Sequence, residues 1–283
     1  MQDEVIRWAA LLLTVGQLDV HTYTYVRAFE SHKGYHAVVR STGTGLYDRG
    51  GNLLKSIDHV RSIVVGDRFF WFLRLDSDRI CKIPVSGAGA EQCITLPPHP
   101  GDVSALKFVE GSLYAFVDAF VPNNGHGASA RSYHLLQIDE RTSRVRRMPG
   151  EHSFSDHPQW CVGDALEYMF LNGGVVHLGG VKEFTLPPKT PPWPFLPESC
   201  AVNGDAVAVA DENHLVINGI DTGLPSSGIV FGFQNGWLVQ SSTGFKIYSK
   251  TGDKELMSGS MNCDLELYYD GKLFYLLDHS QNP

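Results

Sequence analysis

The sequence lacks an excess of basic residues. Its 283 residues contain 23 lysines and arginines against 31 aspartates and glutamates, which gives a net charge of −8. Because a general nucleic-acid-binding protein usually carries a basic excess or stripe, we expect no nucleic acid partner. The nearest basic cluster is the four arginines within residues 141–147. We interpret it as the solvated edge of a strand, where charge discourages edge-to-edge pairing.

Cysteine is scarce and scattered. There are five cysteines with no CxxC pair, so neither a metal finger nor a disulfide scaffold is indicated. Cys81 and Cys93 flank one predicted hairpin and could face each other, but we expect both to be reduced. The sequence contains no Asn-x-Ser/Thr glycosylation signal, which favours a non-secretory protein. We therefore predict a cytoplasmic location, with secretion as the alternative.

Long hydrophobic runs are also missing. No apolar run is long enough to span a bilayer, so we expect no membrane span. The short run in residues 8–13 follows Asp3 and Glu4, and no small-residue cleavage site follows it. A secretory signal there would be atypical.

The clearest pattern that is present is a series of short apolar runs joined by turn residues. Within residues 103–148, two runs meet at Glu110-Gly111, where glycine can take the positive φ that a tight hairpin requires. Two further runs meet at the polar segment 140–143. Four short antiparallel strands in succession are predicted, and such a sheet needs neighbours to bury both of its faces.

The same turn signal recurs along the chain. Glycines follow the first apolar run of each unit at positions 34, 66, 111, 163, 204, 236 and 271, on average about 40 residues apart, which is the period of a four-stranded propeller blade. Second hairpins turn near positions 50, 87, 179, 219 and 252. We predict an all-β fold, a seven-bladed β-propeller of four-stranded antiparallel blades. The alternative, an irregular β-sandwich, would not repeat one turn signature.

The seventh unit contains only its first two strands, because residues 279–283 are too few for another pair. We predict that N-terminal strands within residues 1–17 complete the last blade and close the ring, which removes open sheet edges. A short N-terminal helix competes with this interpretation, since alanine and leucine favour one. Residues 1–283 then form one propeller domain, with the repeat units in residues 18–283.

The repeats resemble those of β-propeller proteins, broadly the kelch-like seven-bladed type, over residues 18–283. The resemblance is carried by the glycine-bearing first hairpins and by second hairpins such as LLQIDERTSRVRRM. The double glycine that kelch repeats carry after their second strand is clear at Gly173-Gly174 alone, and the dipeptides of WD40 repeats are missing. The resemblance implies the fold.

In a propeller, the loops between second and third strands and the connections between blades emerge on one face. That topology gathers the unusual segments of this chain, namely residues 97–103, 120–132, 151–160 and 186–198. Long loops on a rigid rim are where binding sites concentrate. The predicted binding residues are Asn123, Asn124, His126, Arg131, Trp193 and Phe195.

The proline-rich segment around Trp193 and Phe195 has two interpretations. It is a stiff extended stretch that could contact a ligand or be recognised as a peptide. Alternatively, its two aromatic rings cover the channel or neighbouring strands.

The same loops contain histidines with aspartates close by in sequence. His99, His152 and His157 are the candidate metal ligands, since imidazole suits several transition metals, and they could also serve as acids or bases. None shows a compact ligand spacing, so hydrogen bonding to the backbone is the favoured interpretation. We predict no catalytic residue and no cofactor.

The leading functional hypothesis is a monomeric scaffold that binds a protein or peptide partner with the loop-rich rim. It rests on analogy between folds. The alternative is a propeller hydrolase or lyase that acts on a carbohydrate or small substrate at the channel mouth, with or without the assistance of a metal. A sugar-binding lectin is disfavoured, because repeated binding residues would be expected in every blade.

Overall fold

A computed structural model describes residues 20–75, 79–99, 101–121, 130–148, 152–154, 159–161, 168–172, 175–178, 182–185, 199–210, 214–225, 228–233, 236–241, 243–260, 265–269 and 274–279. Within these residues the chain forms twenty-eight β-strands and no helix. Accordingly, none of the described segments is a helix of the length and apolarity needed to cross a bilayer.

The first half of the chain contributes three sheets and an N-terminal strand that belongs to sheet seven. The N-terminal strand is β1 (Val20–Tyr23). Sheet one contains β2 (Ala28–His32), β3 (Tyr35–Arg40), β4 (Gly43–Tyr47) and β5 (Leu53–Ile57). Sheet two contains β6 (Val60–Val65), β7 (Phe69–Arg74), β8 (Ile80–Pro84) and β9 (Gln92–Ile94). Sheet three contains β10 (Asp102–Val109), β11 (Ser112–Val121), β12 (Ala130–Asp139), β13 (Val145–Arg147) and β14 (His152–Phe154).

The second half contributes four sheets. Sheet four contains β15 (Gln159–Trp160), β16 (Tyr168–Asn172), β17 (Val175–Leu178) and β18 (Lys182–Thr185). Sheet five contains β19 (Ser199–Asn203), β20 (Ala206–Ala210), β21 (His214–Ile217) and β22 (Ile220–Pro225). Sheet six contains β23 (Ile229–Phe233), β24 (Gly236–Ser241), β25 (Gly244–Ser249) and β26 (Glu255–Ser260). Sheet seven contains β27 (Leu265–Tyr269) and β28 (Phe274–Asp278), with β1 paired to β28.

Sheets one to six are antiparallel, and the first four strands of each pair in chain order; in sheet three, β14 pairs with β12. Their first strands lie innermost, because β6 contacts β2 and β10, and β23 contacts β19 and β27. This arrangement of seven sheets is a β-propeller, so the predicted fold class is confirmed. The predicted closure of the ring by N-terminal strands stays a prediction.

Sheet two shows how the blades bury one another. One of its faces packs on sheet one through Ile63, Phe70 and Phe72. The other face packs on sheet three through Trp71 and Leu73. The central residues of β7 are fully buried, because a strand covered on both faces can be apolar at every position. The apolar run FFWF of the sequence is thus core, as expected.

The predicted hairpin at Glu110-Gly111 is confirmed. Glu110 has φ of 48° and Gly111 has φ of 74°, the left-handed pair that suits a two-residue turn between twisted strands. β10 and β11 pair directly across it, with Val109 opposite Ser112. Equivalent positive-φ pairs occur at residues 33–34 and 218–219.

The turn after Ile138 is fixed to sheet two by a buried carboxylate. Glu140 is 3% exposed, and its Oε1 accepts hydrogen bonds from the amides of Arg68 and Phe69 at 3.0 and 3.3 Å. The indole Nε1 of Trp71 donates to the same oxygen at 3.4 Å. A Cβ on Gly66 would displace that oxygen, so glycine at this position leaves room for the carboxylate to make these hydrogen bonds.

The last blade differs in detail from the sequence prediction. The described N-terminal strand in sheet seven is β1, and it pairs with β28 in parallel, with Val20 opposite Phe274. The residues predicted to complete this blade, 1–17, lie outside the described part of the chain. Sheet seven also packs on sheet one, because Phe29 lies 4.6 Å from Tyr275 between ring centroids. The amide of Val26 donates to the carbonyl of Asp278 at 2.8 Å.

The expectation of reduced cysteines is wrong. Cys81 and Cys93 are directly opposite each other on β8 and β9 and form a disulfide. A second disulfide joins Cys161 to Cys200, which ties the segment after β15 to the first strand of sheet five. The sequence indicates that Cys81 and Cys93 could face each other across a hairpin. It does not indicate the bond between Cys161 and Cys200, because that bond depends on how two blades pack.

Candidate functional site

The propeller has two rims of different construction. The turn rim carries the tight hairpins, such as those at residues 33–34, 110–111 and 218–219. The loop rim carries the connections between second and third strands and those between blades, including residues 58–59, 95–101 and 122–129. Antiparallel pairing forces this division, because alternate connections must emerge at opposite ends of each sheet.

A β-ribbon extends from sheet three at the loop rim. β11 and β12 pair over ten positions, from Ser112–Asp139 to Val121–Ala130. β10 reaches only as far as Asp118 on β11, so the end of the ribbon continues beyond the first strand. The predicted insertion, residues 120–132, is therefore strand at both of its ends, and residues 122–129 connect the two strands.

An additional strand covers the outer edge of this ribbon. β13 pairs with residues 136–138 of β12, near the turn rim. β14 pairs with residues 131–133 of the same strand, nearer the loop rim. The fourth-strand position of sheet three is thus shared by two short strands. The segment 151–160, predicted to be a connecting loop, contains β14.

Most of the predicted binding residues lie outside the residues that the structure describes. Arg131 lies on β12, opposite Phe120 on one side and Phe154 on the other. Asn123, Asn124, His126, Trp193 and Phe195 lie outside the described residues. Their role remains a prediction.

The described part of the chain does not bring the candidate metal ligands together. The Nδ1 of His99 lies 2.5 Å from the carbonyl oxygen of Gly101, a local backbone contact. His152 lies on β14 opposite Tyr133, and His157 is outside the described residues. His99 thus makes the backbone hydrogen bond that was the favoured interpretation.

One group with ligand atoms close enough for a metal does occur in the described chain, namely Cys81, Glu91 and Cys93. The two sulfurs are bonded to each other, so neither is available as a thiolate. The carboxylate of Glu91 accepts from Arg74 at 2.5 Å (Nη2) and 3.2 Å (Nε). The group is a disulfide beside an ion pair rather than a metal site.

Arg74 forms several hydrogen bonds at the loop rim of sheet two. Besides its two bonds to Glu91, its Nη1 donates to the carbonyl of Asp58 at 2.6 Å. The guanidinium thereby joins the second strand of the blade to the segment that enters it. The sequence carries no local signal for this cluster, because Arg74 and Glu91 are seventeen residues apart.

A titratable carboxyl lies on the innermost strand of sheet one. Burial raises the pKa of Glu30 to about 7, and the positive charge of Lys107 on β10 acts in the opposite direction. A carboxyl with such a pKa can exchange a proton near neutrality, which is the behaviour expected of a general acid or base. Sequence reasoning missed Glu30 because nothing in the segment AFESH marks the one acidic position as interior.

Comparisons with known proteins support the fold. No protein-family model matches the chain, and neither does any curated protein. Among solved structures, Hsv2 from Kluyveromyces marxianus is 10% identical over 90% of this chain and 84% of that one, with a TM-score of 0.50. Hsv2 from Kluyveromyces lactis is 14% identical over 91% and 86%, with a TM-score of 0.48. AztD from Citrobacter koseri is 11% identical over 88% and 74%, also with a TM-score of 0.48.

The likeness to Hsv2 of Kluyveromyces marxianus concerns the fold alone, because identity is only 10%. The chain is a β-propeller. The kelch-like subtype is not specified by these neighbours, so the loop rim must be interpreted from its own residues.

Proposed function

We propose that this propeller is a scaffold that binds a protein or peptide partner at the loop rim of sheet three. The observation that carries the proposal is the β11–β12 ribbon, which continues past β10. A connection that joins the ends of such a ribbon starts and ends at fixed points, Val121 and Ala130. Preorganisation of this kind lowers the entropic cost of binding.

The base of the ribbon is rigid. Leu113, Ala115 and Val117 of β11 are fully buried against sheet two. Glu140 ties the same blade to the backbone of sheet two. Binding residues on loops positioned by such a framework are the usual arrangement in repeat folds.

The test replaces residues 122–129 with a Gly-Ser linker of equal length. The control variant replaces the loop 76–78 in the same way, because that loop also joins second and third strands. A partner captured by cross-linking from the native source is then purified and titrated calorimetrically against each protein. We expect the 122–129 variant to lose at least about tenfold in affinity, or about 1.4 kcal/mol, and the control to match wild type. Equal affinity of all three proteins would contradict the proposal.

Glu30 favours a second candidate function, a hydrolase or lyase at the channel. Its pKa of about 7 would suit proton transfer to a small substrate. A panel of glycoside and ester substrates distinguishes the two candidates. Turnover that disappears in Glu30→Gln and survives replacement of residues 122–129 would support the enzyme and count against the scaffold.

The two disulfides support an oxidising compartment, the secretory alternative of the sequence prediction. Disulfides persist outside the cytosol and are rare within it. The proposal predicts that the denatured, unreduced chain reacts with maleimide at one of its five cysteines. Reaction at all five in protein prepared under native conditions would favour the cytoplasm instead.

A further inference from the structure

A groove of about 570 Å³ lies against sheet three near the turn rim. Strand alternation places it on the face opposite Leu113, Leu136 and Ile138, which pack on sheet two. The described residues that line the groove are Ser112, Gln137, Asp139, Thr142, Arg144 and Arg146. Its size is that of a small-molecule site.

Three neighbouring strands form a hydrogen-bonded row across the floor of this groove. Gln137 of β12 lies opposite Tyr114 on β11 and Arg146 on β13. Arg146 donates through Nε to the Oε1 of Gln137. The amide nitrogen of Gln137 donates to the hydroxyls of Ser112 and Tyr114, both at 3.0 Å.

This row fixes the polarity of the Gln137 amide. Arg146 can only donate, so the oxygen of the amide must face it, and the NH₂ group must face the two hydroxyls. Ser112 and Tyr114 therefore act as acceptors toward Gln137. Ser112 lines the groove, and its hydroxyl keeps one hydrogen that can donate to a ligand.

The charge of the groove favours an anionic ligand that accepts hydrogen bonds. Arg144 and Arg146 are exposed, and they lie two residues apart on one side of the hairpin formed by β12 and β13. Neither forms an ion pair with a carboxylate of the described residues. Among the described lining residues, Asp139 is the one with a carboxylate, and its Oδ1 already accepts from the amide and hydroxyl of Thr142, at 2.7 and 2.6 Å. The described lining thus offers two guanidinium groups and the hydroxyl of Ser112 beside one locally bonded carboxylate.

We propose that this groove binds an oxyanion: a phosphate, sulfate or carboxylate group carried by a small molecule. Charge-assisted hydrogen bonds from arginine to such groups are strong and directional. The planar guanidinium of Arg146 is held in place by Gln137, so part of the ordering cost of binding is already met. A merely solvated strand edge would need the arginines but not the oriented Gln137 and Ser112 beside them.

The experiment measures binding of four probes to the full chain by calorimetry at constant ionic strength in chloride. The probes are inorganic phosphate, inorganic sulfate, citrate and glucose 6-phosphate, which separate the three anion classes and a free anion from an ester. We expect saturable binding of at least one probe with one site per chain. Arg146→Gln should weaken it about tenfold or more, as loss of a charge-assisted hydrogen bond does.

The matched control is Arg141→Gln, which removes an equal charge from the same hairpin outside the groove. Its affinity should fall clearly less than that of Arg146→Gln, since Arg141 is exposed and is not among the described residues that line the groove. Ser112→Ala removes a hydroxyl donor that lines the groove without changing charge and should weaken binding several-fold. Both variants must melt cooperatively, as wild type does. Absence of saturable binding by any probe, or equal weakening by Arg141→Gln and Arg146→Gln, would overturn the proposal.

Replacement of residues 122–129 should leave probe affinity unchanged. That variant therefore keeps the groove and the loop rim separately testable.

Discussion

The two faces of sheet three are built from alternate residues of the same strands, yet their chemistry differs. Toward sheet two, the strands present Leu113, Leu136 and Ile138, all buried. Toward the groove, near the turn rim, they present Ser112 and Gln137 in a hydrogen-bonded row. Sheet two, in contrast, is apolar on both faces.

The difference shows that packing against a neighbouring sheet determines the side-chain chemistry of one face of a blade. A face that touches its neighbour must be apolar, because burial of each leucine stabilises the fold by about 1.5–3 kcal/mol. A polar face forgoes that stabilisation, which agrees with the proposal that this face binds a ligand.

The largest effect is expected at the contact with sheet two. Glu140→Ala should lower the free energy of unfolding by about 3–5 kcal/mol, because it leaves the part-buried amides of Arg68 and Phe69 and the buried indole of Trp71 without an acceptor. Burial lowers the pKa of Lys82, and the variant also removes the negative charge that opposes this lowering. Urea titration measures the change through the midpoint.

The control for this variant is Arg141→Ala, the exposed next residue, which should change stability by about 0.5 kcal/mol or less. If Glu140→Ala cost less than about 1 kcal/mol, the carboxylate would not be the link between the two blades.

A pair of adjacent leucines compares the faces directly. Leu136 is 2% exposed within the core shared with sheet two, whereas Leu135 is partly buried on the other face, opposite Phe116. Leu136→Ala should cost about 2–5 kcal/mol, since it leaves a cavity in packed surroundings. Leu135→Ala should cost about 1 kcal/mol. Equal losses in urea unfolding would show that the second face is packed as tightly as the first.

The sequence predicts much of this contrast between faces, but it does not predict what the polar face does. The apolar run around Trp71 marked a strand buried on both sides, and Glu110-Gly111 marked a tight turn; both are confirmed. The segment LLQID also alternates, which places Gln137 on the face away from Leu136. Local patterns carry such information because strand periodicity is a property of the backbone.

The remaining features depend on residues that are distant in sequence. Glu140 bonds backbone groups more than seventy positions earlier, and Cys161 pairs with Cys200 in the next blade. No spacing rule predicts either contact, because both require the relative placement of two sheets. The arginines near residue 144 were interpreted as a solvated edge, since the sequence does not show the hydroxyls that lie beside them.

The smallest effect concerns Asp139, at the edge of the groove. Hydrogen bonds from the hydroxyl and the amide of Thr142 lower the pKa of this carboxyl below its ordinary value. Thr142→Val removes the larger of these two causes, so the pKa of Asp139 should rise toward the ordinary value, about 3.9. Carbon-detected NMR titration of the carboxyl measures it. Asp253, whose pKa is lowered in the same way by Ser249 and Thr251 in sheet six, serves as an internal control and should not move.

The same titration has a pH consequence and a link to the groove. A depressed pKa contributes stability that is present above the unfolded value and is lost as pH falls through the folded value. Wild type and Thr142→Val should therefore differ at neutral pH and converge below the folded pKa of Asp139. A saturating oxyanion probe places a like charge beside this carboxyl and should raise its pKa in wild type, while Asp253 stays fixed. If Asp139 and Asp253 responded equally, the anion would be acting through bulk screening, and the polar face of sheet three would have no site of its own.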